Sequence, residues 1–419
     1  MKQVTRALAC LALISGLWTG FAAAQEGYVG YQPGVRGTED GLRYWMAEFR
    51  PRAEAAGVSA EVLDRALPGV TFLPDVVEKD RSQDEFTRAI WDYMDRAVSD
   101  DRIALGRRAM KKHAALLARI KVAFGVDPAY VVAIWGLESS FGAGRGTIPT
   151  LSALATLAYD GRRGAYFEGE LMQALRMVQS GDADLADLKG SWAGATGHTQ
   201  FMPTSFWNIA VDFDGDGRRN LWGDDPADAL ASTAAYLKKS GWKTDAAWGF
   251  EITLPEGFDW ELAGDRTQKP MAFWVAKGIV RTDGKALPMG TWASLLLPAG
   301  YRGPALMVLD NFSAVETYNL ADAYVIAVCH LADRLRGGDA FQHAWPRDLR
   351  VLTLAERMEL QQRLTLAGFS TAGVDGRVGP RTLRAIKGYQ RAQGLVADGF
   401  ASTELLGLLR AAQAENARP

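Results

Sequence analysis

Cysteine is scarce in this chain of 419 residues, which contains Cys10 and Cys329 and no others. Cys10 lies in an N-terminal apolar stretch that we expect to be removed, so Cys329 is the single thiol of the expected mature protein. One thiol excludes an intramolecular disulfide, even in an oxidising compartment. The fold must therefore be held by its core, for which a hydrophobic content of 48% is ample.

An excess of charge of either sign is also missing, since 47 Lys and Arg stand against 49 Asp and Glu. Proteins that bind nucleic acid through its phosphates, or an anionic membrane through its surface charge, need a positive electrostatic potential. We therefore expect no nucleic-acid partner. A zinc amidase is not expected either, because His113, His198, His330 and His343 show no His-Glu-x-x-His spacing.

The sequence has one long apolar run, and it lies at the N-terminus. Lys2 and Arg6 precede apolar residues from about 7 to 21, and small residues follow at 22–24. This is the order of a secretory signal peptide, so we expect residues 1–24 to be cleaved and the product to be periplasmic. The alternative is an uncleaved anchor, although a membrane-spanning helix needs about 20 apolar residues. No later segment has the length and apolarity to span a membrane.

Apolar residues recur at helical spacing through most of the chain, after a flexible, glycine-rich lead-in at 25–40. The segment 247–312 differs, because apolar and polar residues alternate at 250–254 and short strands are predicted at 294–298 and 306–310. The sequence therefore predicts a mainly α fold with a small β-containing insert. The predicted helices are most of 41–125, then 128–140, 150–158, 166–180, 226–240 and 319–336, the last packing onto the first helical region.

Glu138 lies within the predicted helix at 128–140. Residues three, four and seven apart share one helix face, which places Glu138 with the apolar Val131, Ile134 and Trp135. Burial and the negative end of the helix dipole should both raise the pKa of this carboxyl group. A general acid that protonates a glycosidic oxygen needs such a pKa. Helix geometry alone leaves open a Glu that reaches the surface or pairs with a buried Arg.

A second chemical motif begins at Asp212. Asp212, Asp214 and Asp216 occupy alternate positions and Gly217 the sixth, which is the spacing of a calcium-binding loop. The twelfth position holds Gly223 in place of the usual Glu, so a closing ligand must come from farther along the chain. The alternative is a solvated acidic turn without a metal. We expect any bound Ca²⁺ to be structural, because it has no evident task in proton transfer.

Two segments carry a family resemblance. W-G-L-E-S-S-F-G (135–142) and S-W-A-G-A-T-G-H-T-Q-F-M-P-T-S-F (191–206) closely resemble the membrane-bound lytic transglycosylase B family, glycoside hydrolase family 103. The likeness runs over about 41–336. It implies a lysozyme-like helical core formed by about 115–240 and 313–336.

The resemblance implies a reaction that uses one catalytic carboxyl group and no cofactor. Glu138 would protonate the oxygen that leaves the bond between N-acetylmuramic acid and N-acetylglucosamine. It would then accept the proton of the sugar's own 6-hydroxyl, which gives a 1,6-anhydromuramoyl end without consuming water. Two alternatives stay open: a hydrolytic muramidase that uses the same Glu138, and a noncatalytic wall-binding or scaffolding protein.

Further site residues follow from the same resemblance, position by position. Those expected to bind the sugars are Ser191, Gln200, Phe201, Met202, Tyr236, Tyr318 and Asn319. Tyr and amide groups suit sugars, which offer apolar faces and hydroxyl groups. At the acidic loop the resemblance adds Asp228 as the closing calcium ligand and the backbone carbonyl of Arg218, with Asp224 and Asp225 as alternatives for Asp228. Ala321 stands where the family often has Ser.

A compact C-terminal unit is predicted at 352–411, after a linker at 337–351. Two Asp-Gly turns, at 375–376 and 398–399, form a weak repeat that predicts a small three-helix module. L-Q-Q-R-L-T-L-A-G-F and V-D-G-R-V-G-P-R-T-L-R-A-I-K-G-Y-Q-R-A-Q-G-L-V-A-D-G, within 360–399, resemble the peptidoglycan-binding domain of wall hydrolases. Such a module would concentrate the protein on peptidoglycan glycan strands; the alternative is a stabilising domain. We expect a monomer, with cell-wall synthesis proteins as further candidate partners.

Overall fold

The computed structural model describes residues 37–81, 89–264 and 266–416. The predicted signal peptide lies outside the described residues, and so does the predicted lead-in up to residue 36. Cys329 is free and buried. Within the described chain no single helix has the length and apolarity to cross a membrane; the segments Ala114–Phe124 and Pro128–Ser139 meet those criteria as a pair bent by 114°.

Helices make up most of the described chain. In chain order they are α1 (Glu39–Ala55), α2 (Ala60–Ala66), α3 (Pro74–Arg81), α4 (Ile90–Ala97), α5 (Asp100–Lys112), α6 (Ala114–Phe124), α7 (Pro128–Ser139), α8 (Thr150–Asp160), α9 (Gly164–Gln179), α10 (Pro203–Ile209), α11 (Ala227–Lys239), α12 (Met271–Ala276), α13 (Asp310–Glu316), α14 (Asp322–Leu335), α15 (Leu354–Leu366), α16 (Pro380–Ala392) and α17 (Thr403–Asn416). The mainly α prediction is confirmed.

The strands form a small sheet in the predicted insert and one short pair elsewhere. They are β1 (Ile148–Pro149), β2 (Lys189–Gly190), β3 (Gly249–Thr253), β4 (Lys269–Pro270), β5 (Val280–Arg281), β6 (Trp292–Leu296) and β7 (Ala305–Val308). Five of them make an antiparallel sheet in the order β4-β6-β7-β3-β5. The strands predicted at 294–298 and 306–310 correspond to β6 and β7, displaced by one or two residues.

Helix α7 is the central element of the fold. Asp127 caps its start by accepting a 2.8 Å hydrogen bond from the Ala129 N–H, and Pro128 occupies the first turn. Every residue from Ala129 to Gly136 is buried, between α5, α6, α11 and α14. The single apolar stripe expected from the sequence was therefore too narrow, because a helix enclosed on all sides is apolar around its whole circumference. The expected packing of the last core helix is confirmed, since α14 lies against α7.

Two hydrophobic clusters meet where the aromatic residues of the predicted site lie. One cluster is built around α4 to α7, α11 and α14, and the other around α1 to α3 and α8 to α10. Tyr318 packs against both clusters. The boundary between the two cores therefore runs through the predicted sugar site.

The C-terminal module is a three-helix unit, as the repeat predicted, with Leu360, Ile386 and Leu406 in its core. The two Asp-Gly turns are held alike. Gln361 bonds the carboxylate of Asp375 and the N–H groups of the first turn, and Gln390 bonds Asp398 and the second turn. The weak sequence repeat thus records two copies of one turn-and-glutamine unit.

Buried contacts fix the module on the insert. The Lys387 ammonium group donates to the Trp260 and Ala263 carbonyl oxygens at 2.7 and 2.5 Å. The predicted linker is pinned as well, because the buried Glu251 accepts hydrogen bonds from the backbone N–H groups of Gln342 and His343. This task explains why Glu251 is buried although the strand alternation at 250–254 assigned it to the polar face.

Candidate active site

The carboxyl group of Glu138 lies in the last turn of α7 and keeps some solvent exposure. Burial raises its pKa to about 7, and a hydrogen bond from Tyr324 lowers it by a smaller amount. The Tyr324 hydroxyl donates to Glu138 Oε1 at 2.5 Å. Burial and the neighbouring Glu138 raise the pKa of Tyr324 well above its usual value, so the phenol remains a donor. Glu138 is therefore a carboxyl group that holds a proton near neutral pH in a fixed orientation.

The chain turns sharply just after Glu138. Ser140 and Phe141 both have left-handed backbone conformations, with φ of 50° and 60°, which side-chain-bearing residues seldom adopt. The Ser139 hydroxyl stabilises the turn, because it accepts from the Gly142 N–H at 3.0 Å and donates to the His198 carbonyl oxygen at 2.5 Å. The end of α7 is thus fastened to the loop that carries the second family motif.

His198 connects the same helix to the acidic loop. Its Nδ1 accepts from the Trp135 indole N–H at 3.1 Å, and its Nε2 lies 2.7 Å from the Gly223 carbonyl oxygen. An indole nitrogen can only donate, so the proton of the neutral ring is on Nε2. Burial lowers the pKa of His198, which keeps the ring neutral. Arg145 adds hydrogen bonds to the carbonyl oxygens of Trp222 and Gly223.

Three of the predicted sugar-binding residues form one aromatic cluster. The ring centroids of Tyr236 and Tyr318 are 4.8 Å apart, and that of Phe201 lies 5.9 and 6.0 Å from them. The Tyr318 hydroxyl donates to the Thr199 carbonyl oxygen at 2.5 Å. Phe201 was expected to bind the sugars, but with 2% exposure it offers them little surface and packs against the two tyrosines. Met202 is partly buried at the start of α10.

The polar residues predicted for the cleft are held by the backbone. The Gln200 amide nitrogen donates to the Arg145 and Gly197 carbonyl oxygens at 3.0 and 2.8 Å. Both amide protons are thereby used, which leaves the side-chain oxygen to accept from a sugar hydroxyl. Ser191 Oγ accepts from two backbone N–H groups of its own turn and keeps its proton free to donate. Asn319 is exposed, and its side chain accepts from the Ala321 N–H at 3.0 Å.

The acidic loop brings three of its predicted ligands together. Carboxylate oxygens of Asp212, Asp214 and Asp216 lie within 4.8 Å of one another, and all three residues are exposed. Such a set of convergent oxygens suits a hard cation. Asp228 is 2% exposed and lies outside this group. Its two oxygens accept from the Phe213 and Asn220 N–H groups at 2.7 and 2.8 Å, so it closes the loop through the backbone.

The two alternative ligands of the loop are engaged elsewhere. Asp224 is exposed and faces Arg145 at 3.4 Å, and Asp225 accepts from the Ala227 N–H at the start of α11. The Arg218 N–H donates to Asp216 Oδ1 at 2.8 Å, which holds this part of the loop against the acidic group. The identity of a closing ligand stays a prediction.

Sequence reasoning missed Tyr324, the direct partner of Glu138. The two residues are 186 positions apart in the chain. The available signal was that Tyr324 belongs to the helix predicted at 319–336, which was expected to pack onto the first helical region. A tyrosine in the first turn of that helix was therefore a candidate neighbour of Glu138, although helical spacing could not say which residue it would meet.

Comparison with known proteins decides the family. Residues 41–333 match the family described as Transglycosylase SLT domain. The chain belongs to this family. Residues 353–409 match a peptidoglycan binding domain. The resemblance to lytic transglycosylases drawn from the sequence motifs is thereby confirmed.

Individual relatives of the SLT family cover different parts of the chain. Membrane-bound lytic murein transglycosylase B of Escherichia coli is 37% identical over 246 residues, which are 57% of this chain and 65% of that protein. SltB3 of Pseudomonas aeruginosa, solved with NAG-anhNAM-pentapeptide, is 45% identical with a TM-score of 0.86, covering 88% of this chain and 99% of SltB3. Escherichia coli Slt35 in complex with calcium is 30% identical with a TM-score of 0.61, covering 74% and 97%.

Proposed function

We propose that this protein is a lytic murein transglycosylase that cleaves the bond between N-acetylmuramic acid and N-acetylglucosamine in peptidoglycan. The observation that carries the proposal is the carboxyl group of Glu138, with a pKa raised by burial to about 7 and an orientation set by Tyr324. A carboxyl group with a pKa near the working pH can serve both as acid and as base. Membership of the SLT family and the peptides and sugars bound to SltB3 support the same substrate.

Proton transfer by the single carboxyl group of Glu138 accounts for both steps of the reaction. Glu138 gives its proton to the leaving glycosidic oxygen and then, as a carboxylate, accepts the proton of the 6-hydroxyl that attacks the anomeric carbon. The bond from that carbon to the 6-oxygen replaces the glycosidic bond, so no water is consumed. Among the described residues, the pKa of Glu138 responds to burial and to Tyr324, and no second carboxylate perturbs it. This fits a mechanism with one acid, whereas hydrolytic glycosidases pair two.

The mass of the product tests the proposal against a hydrolytic muramidase. We expect wild-type protein to release muropeptides from purified sacculi that end in 1,6-anhydromuramic acid. Mass spectrometry distinguishes them, because the anhydro end is lighter than the hydrolysed end by one water. Products with hydrated reducing ends would establish the muramidase alternative. Intact sacculi after prolonged incubation with folded protein would favour the noncatalytic alternative.

We also propose that the protein acts in the periplasm, after cleavage of residues 1–24. The C-terminal match to a peptidoglycan binding domain supports binding to glycan strands of the wall. The contacts of Lys387 hold that module at a fixed place on the insert, and Glu251 holds the linker that leads to it. The module would therefore orient the protein on the wall as well as concentrate it there. Cell-wall synthesis proteins remain candidate partners, and a monomer is the expected state.

We propose a structural Ca²⁺ at Asp212, Asp214 and Asp216. The convergent oxygens fit a hard cation, and the loop leads through Gly223 and His198 to the helix that carries Glu138. The calcium bound to Slt35 supports the assignment. A Ca²⁺ ion held there would offset two of the three negative charges of these carboxylates and fix the loop, without taking part in the proton transfer.

Adding Ca²⁺ is therefore expected to raise the thermal stability of the protein. At a free concentration one hundred times the dissociation constant, the free energy of unfolding rises by about 2.7 kcal/mol. Scanning calorimetry with Ca²⁺ and with chelator measures the difference. An Asp212→Asn, Asp214→Asn double variant should lose it, whereas the exposed Asp245→Asn control should keep it. Equal stability of the wild type with and without Ca²⁺ would contradict the proposed calcium site.

A further inference from the structure

The structure points to a second saccharide-binding site on the insert, which we propose takes a part of the glycan strand remote from the bond being cleaved. The site is a surface cavity of about 480 Å³ between the insert sheet and the start of α13. Its chemistry is carried by Trp292, Gln268, Lys243 and Asp310. None of them belongs to the cleft around Glu138. The inference rests on the proposed function, because it assigns a longer strand of the same substrate.

Trp292 gives the cavity a flat apolar surface. It is the first residue of β6, its backbone pairs with Pro270 at the edge of the sheet, and its side chain is 54% exposed. Met289 lies three residues earlier and is 63% exposed. Trp292 lines the cavity, so its exposed side chain is offered to a ligand there. An indole ring in particular can stack on the apolar face of a sugar.

The polar side chains of the cavity are available to a ligand. Lys243, Gln268 and Asp310 are all exposed, and their side chains form no hydrogen bond or ion pair with another described residue. Together they offer an ammonium donor, an amide that donates and accepts, and a carboxylate acceptor. An aromatic platform bordered by a few unengaged polar groups is the arrangement that binds sugars, which pair hydroxyl groups with apolar ring faces.

The cavity lies at the start of α13, and the proposed cleft lies beyond the end of this helix. Asp310 begins this helix at the cavity, and Tyr318 follows its end at the cleft. At 1.5 Å per residue the helix separates the two by about 12 Å. The segment before β4 also connects the two places, because Arg266 bonds Glu316 and Asp322 near the cleft and Gln268, two residues later, lines the cavity. A glycan strand that extends about 12 Å beyond Tyr318 in this direction would reach the cavity that Trp292 lines.

A remote site of this kind changes the preference for substrate length. Binding energy gained far from the reacting bond helps to hold the strand in the cleft, and a short fragment cannot gain it. We therefore expect long glycan strands to be bound more tightly than fragments that fill the cleft alone. The preference should depend on Trp292, because it is the one aromatic residue among the described residues that line the cavity.

The test compares Trp292→Ala with Tyr44→Ala, a control that removes an aromatic side chain of 62% exposure from α1. Affinity is measured by calorimetric titration of Glu138→Gln protein with peptide-free glycan strands, so that nothing is cleaved during the experiment. Trp292→Ala should weaken binding of long strands about tenfold, which is about 1.4 kcal/mol. Tyr44→Ala should leave it unchanged. Gln268→Ala provides a second variant at a fully surface position, with a smaller loss in the same direction.

The outcomes separate this inference from the proposed function. Equal affinity of Trp292→Ala and the parent protein for long strands would overturn it, whether or not the wild type cleaves sacculi. A loss seen only with strands that carry peptides would also overturn it, because the cavity would then recognise peptide. In wild-type background, Trp292→Ala should lower the ratio of the kcat/KM for long strands to that for short fragments. Failure of the proposed function would appear differently, as the absence of anhydro products from every substrate.

Discussion

Replacing Glu138 with Gln is expected to lower the release of anhydromuramoyl products by about 10² to 10⁴-fold. The amide keeps the size and hydrogen-bonding capacity of the carboxyl group but cannot transfer its proton to the leaving oxygen. The side chain is partly exposed, so the substitution leaves the buried core of α7 intact. Digestion of sacculi with equal amounts of the two proteins, followed by mass spectrometry of the soluble products, measures the loss.

Glu170→Gln is the matched control for this substitution. Glu170 is a buried glutamate whose pKa, like that of Glu138, is raised by burial, and it also lies beside a tyrosine, Tyr166. Its carboxylate accepts from the Thr204 N–H at 2.9 Å, a bond that a glutamine oxygen can keep. We expect this variant to digest sacculi like the wild type. Substantial activity in Glu138→Gln, or an equal loss in both variants, would show that the activity does not depend specifically on the carboxyl group of Glu138.

The sequence was sufficient to place the acid because the relevant signals are local. Asp127 and Pro128 begin α7, and the spacing to Glu138 within one helix does not depend on the rest of the fold. The raised pKa followed from burial, which the apolar neighbours predicted. The full enclosure of α7 was not predicted, because it depends on which helices return from distant parts of the chain. Tyr324 was missed for the same reason.

Backbone conformation and packing account for the other differences between the predicted site and the observed one. Gln200 has a left-handed conformation, with φ of 52°, and its amide protons bond backbone carbonyl groups of its own loop and of Arg145. Neither feature follows from a residue type in a motif. Phe201 was expected to bind sugar, yet it is buried in the cluster around α1 to α3 and α8 to α10, in ring contact with Tyr236 and Tyr318. The motifs therefore indicated which residues lie at the site. How deeply each side chain is buried, and which of its hydrogen-bond donors are already engaged, depend on the tertiary structure.

The pH dependence of cleavage is expected to follow the protonation of Glu138. The first step needs the protonated acid, so the rate should be highest below the pKa of about 7 and decline above it. Well above the pKa the protonated fraction falls about tenfold per pH unit, and the rate should fall with it. Initial rates of release from sacculi between pH 5 and 9, on the order of one point per half unit, trace the decline.

Tyr324→Phe tests whether the hydrogen bond to Glu138 sets that profile. The bond lowers the pKa of Glu138, because a phenol donor stabilises the carboxylate. Its removal should therefore raise the pKa and move the alkaline decline to higher pH, although the maximal rate falls because the carboxyl group is no longer oriented. Tyr166→Phe, beside Glu170, makes the same chemical change away from the acid and should leave the pH profile unchanged.

Two outcomes would contradict this role of Tyr324. A role in stability alone would lower the rate of Tyr324→Phe at every pH without moving the decline, and a shift of the decline to lower pH would contradict the assigned effect of the hydrogen bond on the pKa. Movement of the decline in the predicted direction would identify Tyr324 as the residue that positions the acid and tunes its proton affinity.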